Sequence, residues 1–293
     1  MTPVLAAVLV NYNAGDELRR ALQSIADEMG DQPWEGVVVD NCSSDGSAET
    51  ILSMAPVVRL IRNTQNVGFG RGVNQGVAAT TAPLILVMNP DCRLVAGAMA
   101  TLRADLLAHD QCAMVAPKIL NPDGSVQGSA RGDPDMLTGV FGRTAAIGRL
   151  LRRLPMAARH VPSEDILRSG TAGAEVDWVS GACFVARREA LTQVRGFDER
   201  YFLYWEDADL CKRLRLAGWR IRYVTGASAI HRVGHSSKTA KAASIRAFHE
   251  SAYLYYTTHV ATRRLSPKRP LARLLLACRQ AWHLRGTTPP QGR

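Results

Sequence analysis

Residues 5–13, Leu5-Ala-Ala-Val-Leu-Val-Asn-Tyr-Asn13, decide the fold class. Six apolar residues followed by a polar triplet read as a short buried strand that surfaces at its carboxyl end. Leu18, Leu22 and Ile25 follow at helical spacing, and Val37-Val-Val-Asp40 repeats the strand signature. Residues 47–54 read as a helix capped by Asp45 or Ser47, residues 57–61 as a strand and residues 72–79 as a short helix. Leu84-Ile-Leu-Val-Met88 is a further strand, ending in Asn89-Pro-Asp91. Strands alternating with helices predict right-handed βαβ units and a mostly parallel, Rossmann-like α/β sheet. Ligands of such sheets bind beyond the carboxyl ends of the strands, where residues 11–13, 40–45 and 89–91 all fall. One such cluster is ordinary turn chemistry; three on one sheet edge point to a nucleotide.

The pattern breaks over residues 127–175, rich in Gly, Arg and Ala and without a strong strand signal. Arg143, Arg149, Arg152, Arg153 and Arg159 interleave there with Ile147, Leu150, Leu151 and Leu154, as in a basic amphipathic helix. Such a helix either touches acceptor or membrane, or covers the core. Residues 176–186 read as a strand and residues 206–217 as a helix stopped by Gly218. A last strand spans 221–224, and Ala229-Ile-His231 leads into a Gly/Ser loop. The expected organisation is one domain over 1–237, with a nucleotide-binding half (1–126), an insert (127–175) and an acceptor half (176–237). Residues 238–293 form a basic helical tail.

That tail holds eleven Lys/Arg and one acid, Glu250, of the chain's 36 bases and 26 acids, so it carries the whole net charge of +10. It also carries Tyr253, Tyr255, Tyr256, Leu271, Leu274, Leu275 and Trp282. The mixture suits an anionic membrane surface, or a helical appendage packed on the domain. Nucleic acid is not an expected partner. The six cysteines show neither a C-x-x-C pair nor zinc spacing, as in a reduced, cytoplasmic protein. No apolar run is long enough to span a bilayer, so any membrane contact is expected to be peripheral, at the inner face.

Asp91, just past a buried strand and stiffened by Pro90, is placed to hold a divalent cation against a diphosphate. Asp40 can accept the imide N–H of uracil or thymine, or cap the next helix. Asn66-Val-Gly-Phe-Gly-Arg-Gly-Val-Asn74 offers glycines for close approach to a ligand, with Arg71 beside phosphate or base, but its spacing is not the dinucleotide fingerprint. Glu206, Asp207 and Asp209 open a helix directly after five aromatics in residues 197–205. Acids suit a helix N-terminus, while mutual repulsion and apolar surroundings raise a carboxylate pKa towards that of a general base.

Together, Val10-Asn-Tyr-Asn13, Val39-Asp-Asn-x-Ser-x-Asp-Gly46, Asn66-x-Gly-Phe-Gly70, Asn89-Pro-Asp91, Gly181-Ala-Cys-Phe184 and Gly196-Phe-Asp-Glu…Trp205-Glu-Asp-x-Asp-Leu210 resemble the family-two inverting glycosyltransferases, in their rhamnosyltransferase-like branch. The resemblance runs over about residues 4–260 and implies a GT-A fold acting in cell-surface polysaccharide synthesis. It implies Mg²⁺ or Mn²⁺ at Asp91, with His231 or its rival His235 as a further ligand, and Asp207 as catalytic base. Asn11, Tyr12, Asn13, Asp40, Asn66, Gly68, Arg71 and Asn89 would meet the nucleotide; Trp178, Gly181, Trp205 and Glu206 would face the acceptor. The implied donor is dTDP-rhamnose or a UDP-hexose, and the acceptor a glycan or lipid-linked hydroxyl. A nucleotidyltransferase would need a basic Gly-rich loop after the first strand, and residues 11–18 hold one glycine and no Lys or Arg. A non-catalytic relative would have lost Asp207 or Asp91, and both are present.

Overall fold

A computed structural model describes residues 2–54, 57–132, 166, 170–232 and 241–285. The basic helix expected within 143–159, and His235, lie outside the described residues.

Strand β1 (Leu5–Asn11) is buried throughout because it faces two cores. Leu5, Ala7 and Leu9 pack with helices α1 (Glu17–Met29) and α3 (Ala98–Ala108). Ala6, Val8 and Val10 pack with α2 (Phe69–Ala78) and α5 (Glu206–Leu216). Successive side chains of a strand point to opposite faces, so a strand covered on both sides must be apolar at every position.

β1 pairs in parallel with β2 (Trp34–Asp40) and β4 (Leu84–Met88), and β2 with β3 (Val58–Arg62). Asn11 lies opposite Asp40 in register. The sheet continues from β4 through β10 (Cys183–Arg187), β6 (Cys112–Leu120) and β11 (Arg220–His231) to β5 (Cys92–Leu94), with β8 (Gly173–Glu175) also on β11. β10, β5 and β8 run against the others, so the sheet is mostly parallel. β7 (Ala130–Arg131) and β9 (Trp178–Val179) form a separate ribbon, and α4 (Arg188–Gln193) follows β10.

Several expectations change. Residues 47–54 wind as a 3₁₀ helix, with Asp45 accepting from the Ser47 N–H. The strand expected over 176–186 breaks into β9 and β10 at the turn holding Gly181. Residues 127–175, which lacked a strand signal, contribute β7 and β8. β11 runs without interruption to His231, so Ala229 and Ile230 are strand residues. An irregularity between Val224 and Ser228 shifts its register on β6, and its last three residues pair with β5, His231 opposite Cys92.

The glycines of residues 68–76 serve packing within the protein. A Cβ on Gly76 would clash with Val8 Cγ1, so this glycine lets α2 settle directly on β1. Gly68, at φ +90°, leaves no room for a Cβ beside the Phe202 carbonyl, which accepts the Phe69 N–H at 3.0 Å.

The tail is part of the fold. Helix α6 (Lys241–Tyr255) lays Phe248 and Tyr255 against Trp205, at ring-centroid distances of 5.9 and 5.2 Å. Ser251 Oγ donates to the Leu203 carbonyl, and Tyr255 joins the core that contains α5. Helix α7 (Lys268–Arg285) packs on α6, with Ala272 and Leu276 buried and Ala272 clustered with Tyr256 and Ala261 just past α6. No helix among the described residues is long and apolar enough to cross a membrane.

Candidate active site

Asn89 ends β4 and turns the chain: its carbonyl accepts the Cys92 N–H at 3.0 Å, which presents Asp91. β11 delivers His231 to the same place, with Nε2 3.1 Å from Asp91 Oδ1. Gln127 fixes the imidazole. Its Nε2 donates to the His231 carbonyl and to Asn121 Oδ1, both at 2.8 Å, so Gln127 Oε1 faces His231 Nδ1 at 3.2 Å. The ring proton therefore sits on Nδ1, and Nε2 turns a lone pair towards a carboxylate oxygen. A carboxylate oxygen and an imidazole nitrogen converging in this way are a donor pair for a divalent cation.

Cys92 completes a cluster whose ligand atoms lie within 4.8 Å of one another. Burial, with Cys183 and Asp91 nearby, pushes its thiol well above the usual range. A protonated sulfur is a poor ligand for a hard cation, which leaves carboxylate and imidazole as the donor pair.

The two halves of the site meet through β10. The Asn89 N–H donates to the Ala182 carbonyl at 2.8 Å, and the Gly181 N–H donates to Asp207 Oδ2 at 2.9 Å. The three acids of α5 separate by environment. Asp209 is fully buried and bound at 2.7 Å by both Arg213 and His259. Glu206 is buried with Oε2 unpartnered; desolvation, then the Asp207 charge, push its carboxyl well above the usual carboxylate range. Asp207 alone of the three keeps partial solvent access. Tyr204 and Trp205 enter the helix in left-handed conformation (φ +68° and +69°), which non-glycine residues rarely adopt. The contacts of α6 with Trp205 and Leu203 hold them there.

On the nucleotide side, Asn11 is fully buried and serves Asp40: its Nδ2 donates to Asp40 Oδ1 at 2.7 Å. Asp40, 3% exposed, also accepts the Ser43 N–H on Oδ2. Asn13 accepts from the Ser44 N–H and its own N–H donates to Ser43 Oγ, so the loops after β1 and β2 form one rim, with Tyr12 half-buried on it. Asn66 caps the Gly68 N–H and accepts from Asn41; Arg71 lies 3.5 Å from Glu199. Trp178, 8% exposed, belongs to the core beneath Arg131. Of the acceptor candidates, Trp178, Gly181 and Glu206 are buried, and Trp205 is half-buried.

Sequence reasoning missed Gln127, whose partner lies 104 residues away. It also missed Glu17, which binds Arg93 and Arg232, the residues following Cys92 and His231. Burial raises the Glu17 pKa, but Arg93 and Arg20 outweigh it and hold the carboxylate below its usual range. The acid in the first turn of α1 was the available signal.

The comparisons with known proteins show the family and the fold. Residues 6–156 match Glycosyl transferase family 2, and residues 157–288 match Glycosyl transferase family group 2. The N-acetylglucosaminyl-diphospho-decaprenol L-rhamnosyltransferase of Mycobacterium tuberculosis is 34% identical over 271 residues, 87% of this chain and 84% of that protein. Two solved structures share the fold at low identity. One is GalNAc-T7 with UDP, GalNAc and Mn²⁺ (TM-score 0.60, 16% identity, 95% of this chain but 55% of that one). The other is the mannosyltransferase PcManGT from Pyrobaculum calidifontis with GDP-Man and Mn²⁺ (TM-score 0.58, 15% identity, 99% of this chain and 77% of that one). The sheet edge with its acidic turn, the acid-led helix beside it and these matches lead to one conclusion: the chain belongs to glycosyl transferase family 2.

Proposed function

We propose that this glycosyltransferase moves rhamnose, with inversion, from dTDP-rhamnose to a lipid-linked glycan hydroxyl at a membrane surface. One observation carries the mechanism. Two backbone hydrogen bonds, Asn89 to Ala182 and Gly181 to Asp207, tie the acidic turn to the only part-exposed acid of α5. The acceptor hydroxyl gives its proton to Asp207 as its oxygen bonds to the anomeric carbon. The bond from that carbon to the diphosphate oxygen breaks, and the nucleoside diphosphate leaves with the electron pair. A single displacement inverts the anomeric centre. Asp207 stays aligned because Oδ1 accepts the Ala208 N–H and Oδ2 the Gly181 N–H.

Asp91 and His231 suit Mn²⁺ or Mg²⁺: a carboxylate oxygen and an imidazole nitrogen converge with a lone pair facing a negative oxygen. When bound, the ion neutralises charge growing on the leaving diphosphate. Gln127 positions His231 for this task. Gln127→Leu is expected to weaken Mn²⁺ binding by about 10–100-fold, read by titration calorimetry on the donor-free protein. Unchanged affinity would remove Gln127 from the site. Asp40, with Tyr12 and Asn13 on the rim, addresses the base.

The rhamnosyl reading rests on the mycobacterial relative, whose name specifies a decaprenol-linked N-acetylglucosamine acceptor and rhamnose transfer. The test is a donor panel with a polyprenyl-diphosphate-linked N-acetylglucosamine acceptor, products read by mass and anomeric NMR. Transfer from dTDP-rhamnose well above UDP-hexoses, with inverted configuration, is expected. Transfer from a UDP-hexose alone would overturn the choice of sugar.

A further inference from the structure

Helix α7 carries apolar residues on two faces. Ala272 and Leu276 are buried on the inner face, Ala272 against Tyr256 and Ala261, with Arg279 over the Phe248 ring of α6, 5.7 Å from its centroid. About 100° round the helix, Leu271, Leu275, Cys278 and Trp282 succeed one another at spacings of four, three and four, and Leu274 widens the stripe. All five are exposed, Leu274 at 61% and Trp282 at 70%. Leu265, six residues ahead of Leu271, is exposed as well. A helix that needed only to pack on α6 would have polar residues here.

Charge identifies the occupant. The chain holds no Asp or Glu between Ser251 and Arg285, while Arg263, Arg264, Lys268 and Arg285 lie before and at the ends of the stripe. Leucines and a tryptophan bounded by bases match the boundary between anionic headgroups and acyl chains. A protein partner covering the same stripe would have to bring an acidic rim.

We propose that the outer stripe of α7 inserts into the headgroup layer of an anionic bilayer and seats the enzyme on it. α6 anchors the tail to the catalytic domain, and among the described tail residues α7 presents the exposed apolar face. The contact sequence from α7 through Phe248 to Trp205 ends two residues from Asp207, so a seated α7 holds the acceptor side of the site close to the membrane. The inference deepens the lipid-linked reading above and rests on it for its purpose, but it is tested without donor or acceptor.

The experiment compares the full-length protein with a variant carrying Leu271→Gln, Leu274→Gln, Leu275→Gln and Trp282→Gln. Both are sedimented with phosphatidylcholine vesicles containing or lacking phosphatidylglycerol, at low and high salt. Wild type is expected to bind the anionic vesicles, with partial release by salt. The variant is expected to bind about tenfold more weakly or worse, with unchanged circular dichroism and melting temperature. Failure of the wild type to bind would overturn the proposal, as would equal binding by both proteins, which would leave attraction by the bases alone. A vesicle-independent dimer that the variant dissociates, seen by light scattering, would assign the stripe to a second copy instead. Loss of transferase activity in the donor panel with vesicle binding intact would count against the rhamnosyl reading only.

Discussion

Replacing Asp207 by Asn is expected to lower kcat by about 10²–10⁴-fold, with binding of donor and Mn²⁺ little changed. The amide has nearly the shape of the carboxylate but cannot take a proton from the acceptor. It also has one oxygen for two backbone donors, the Gly181 and Ala208 N–H groups. One hydrogen bond is lost, worth about 0.5–1.5 kcal/mol, which a modest drop in melting temperature would report. Glu206→Gln is the matched control. Burial and the neighbouring Asp207 charge push the Glu206 carboxyl well above the usual carboxylate range, so an amide of equal shape stands close to the form that burial favours, and most activity is expected to remain. If Glu206→Gln were inactive and Asp207→Asn nearly wild type, the roles of the two acids would be reversed.

Asp91→Asn is expected to cost about 10²–10³ in turnover, a few kcal/mol of transition-state charge stabilisation, and to weaken Mn²⁺ binding in calorimetry. The turn itself should survive, because its hydrogen bond runs from Cys92 N–H to the Asn89 carbonyl and does not involve the Asp91 side chain. An excess of EDTA should abolish transfer by the wild type, and added Mn²⁺ or Mg²⁺ should restore it. Full activity under chelation would end the metal-assisted mechanism while leaving the assignment of Asp207 intact.

These predictions join residues that the sequence shows unequally well. β1, β2 and β4 could be read directly, because a strand buried on both faces must be apolar throughout and its polar end must reach the surface. Residues 95–126 were harder. Helix α3 mixes Ala and Leu without a clear polar face, and β6 contains Pro117, which fits only where pairing with β10 has already ended. In the Asn66–Asn74 segment the sequence did not show that Gly68 and Gly72 also leave room for Phe202 and for the approach of α2 to Val10 of β1, contacts that a list of small residues does not reveal.

The sequence by itself determined the α/β class, the three polar clusters on one sheet edge, the acid-led helix and the basic excess of the tail. All of these are local patterns, written in neighbouring residues or in composition. The tertiary structure alone decided which acid keeps access to solvent, because burial of Glu206 and the pairing of Asp209 with His259 depend on α6 lying across Trp205. It alone decided that His231 meets Asp91, because the end of β11, still paired with β6 on one side, takes β5 on the other and sets His231 opposite Cys92. It also divided the tail, fastening α6 into the core and leaving one face of α7 free. The physical reason is separation along the chain. Gly181 and Asp207 lie 26 residues apart, and Gln127 and His231 104. Such contacts form only when sheet order and register bring distant segments together, and no local periodicity encodes them.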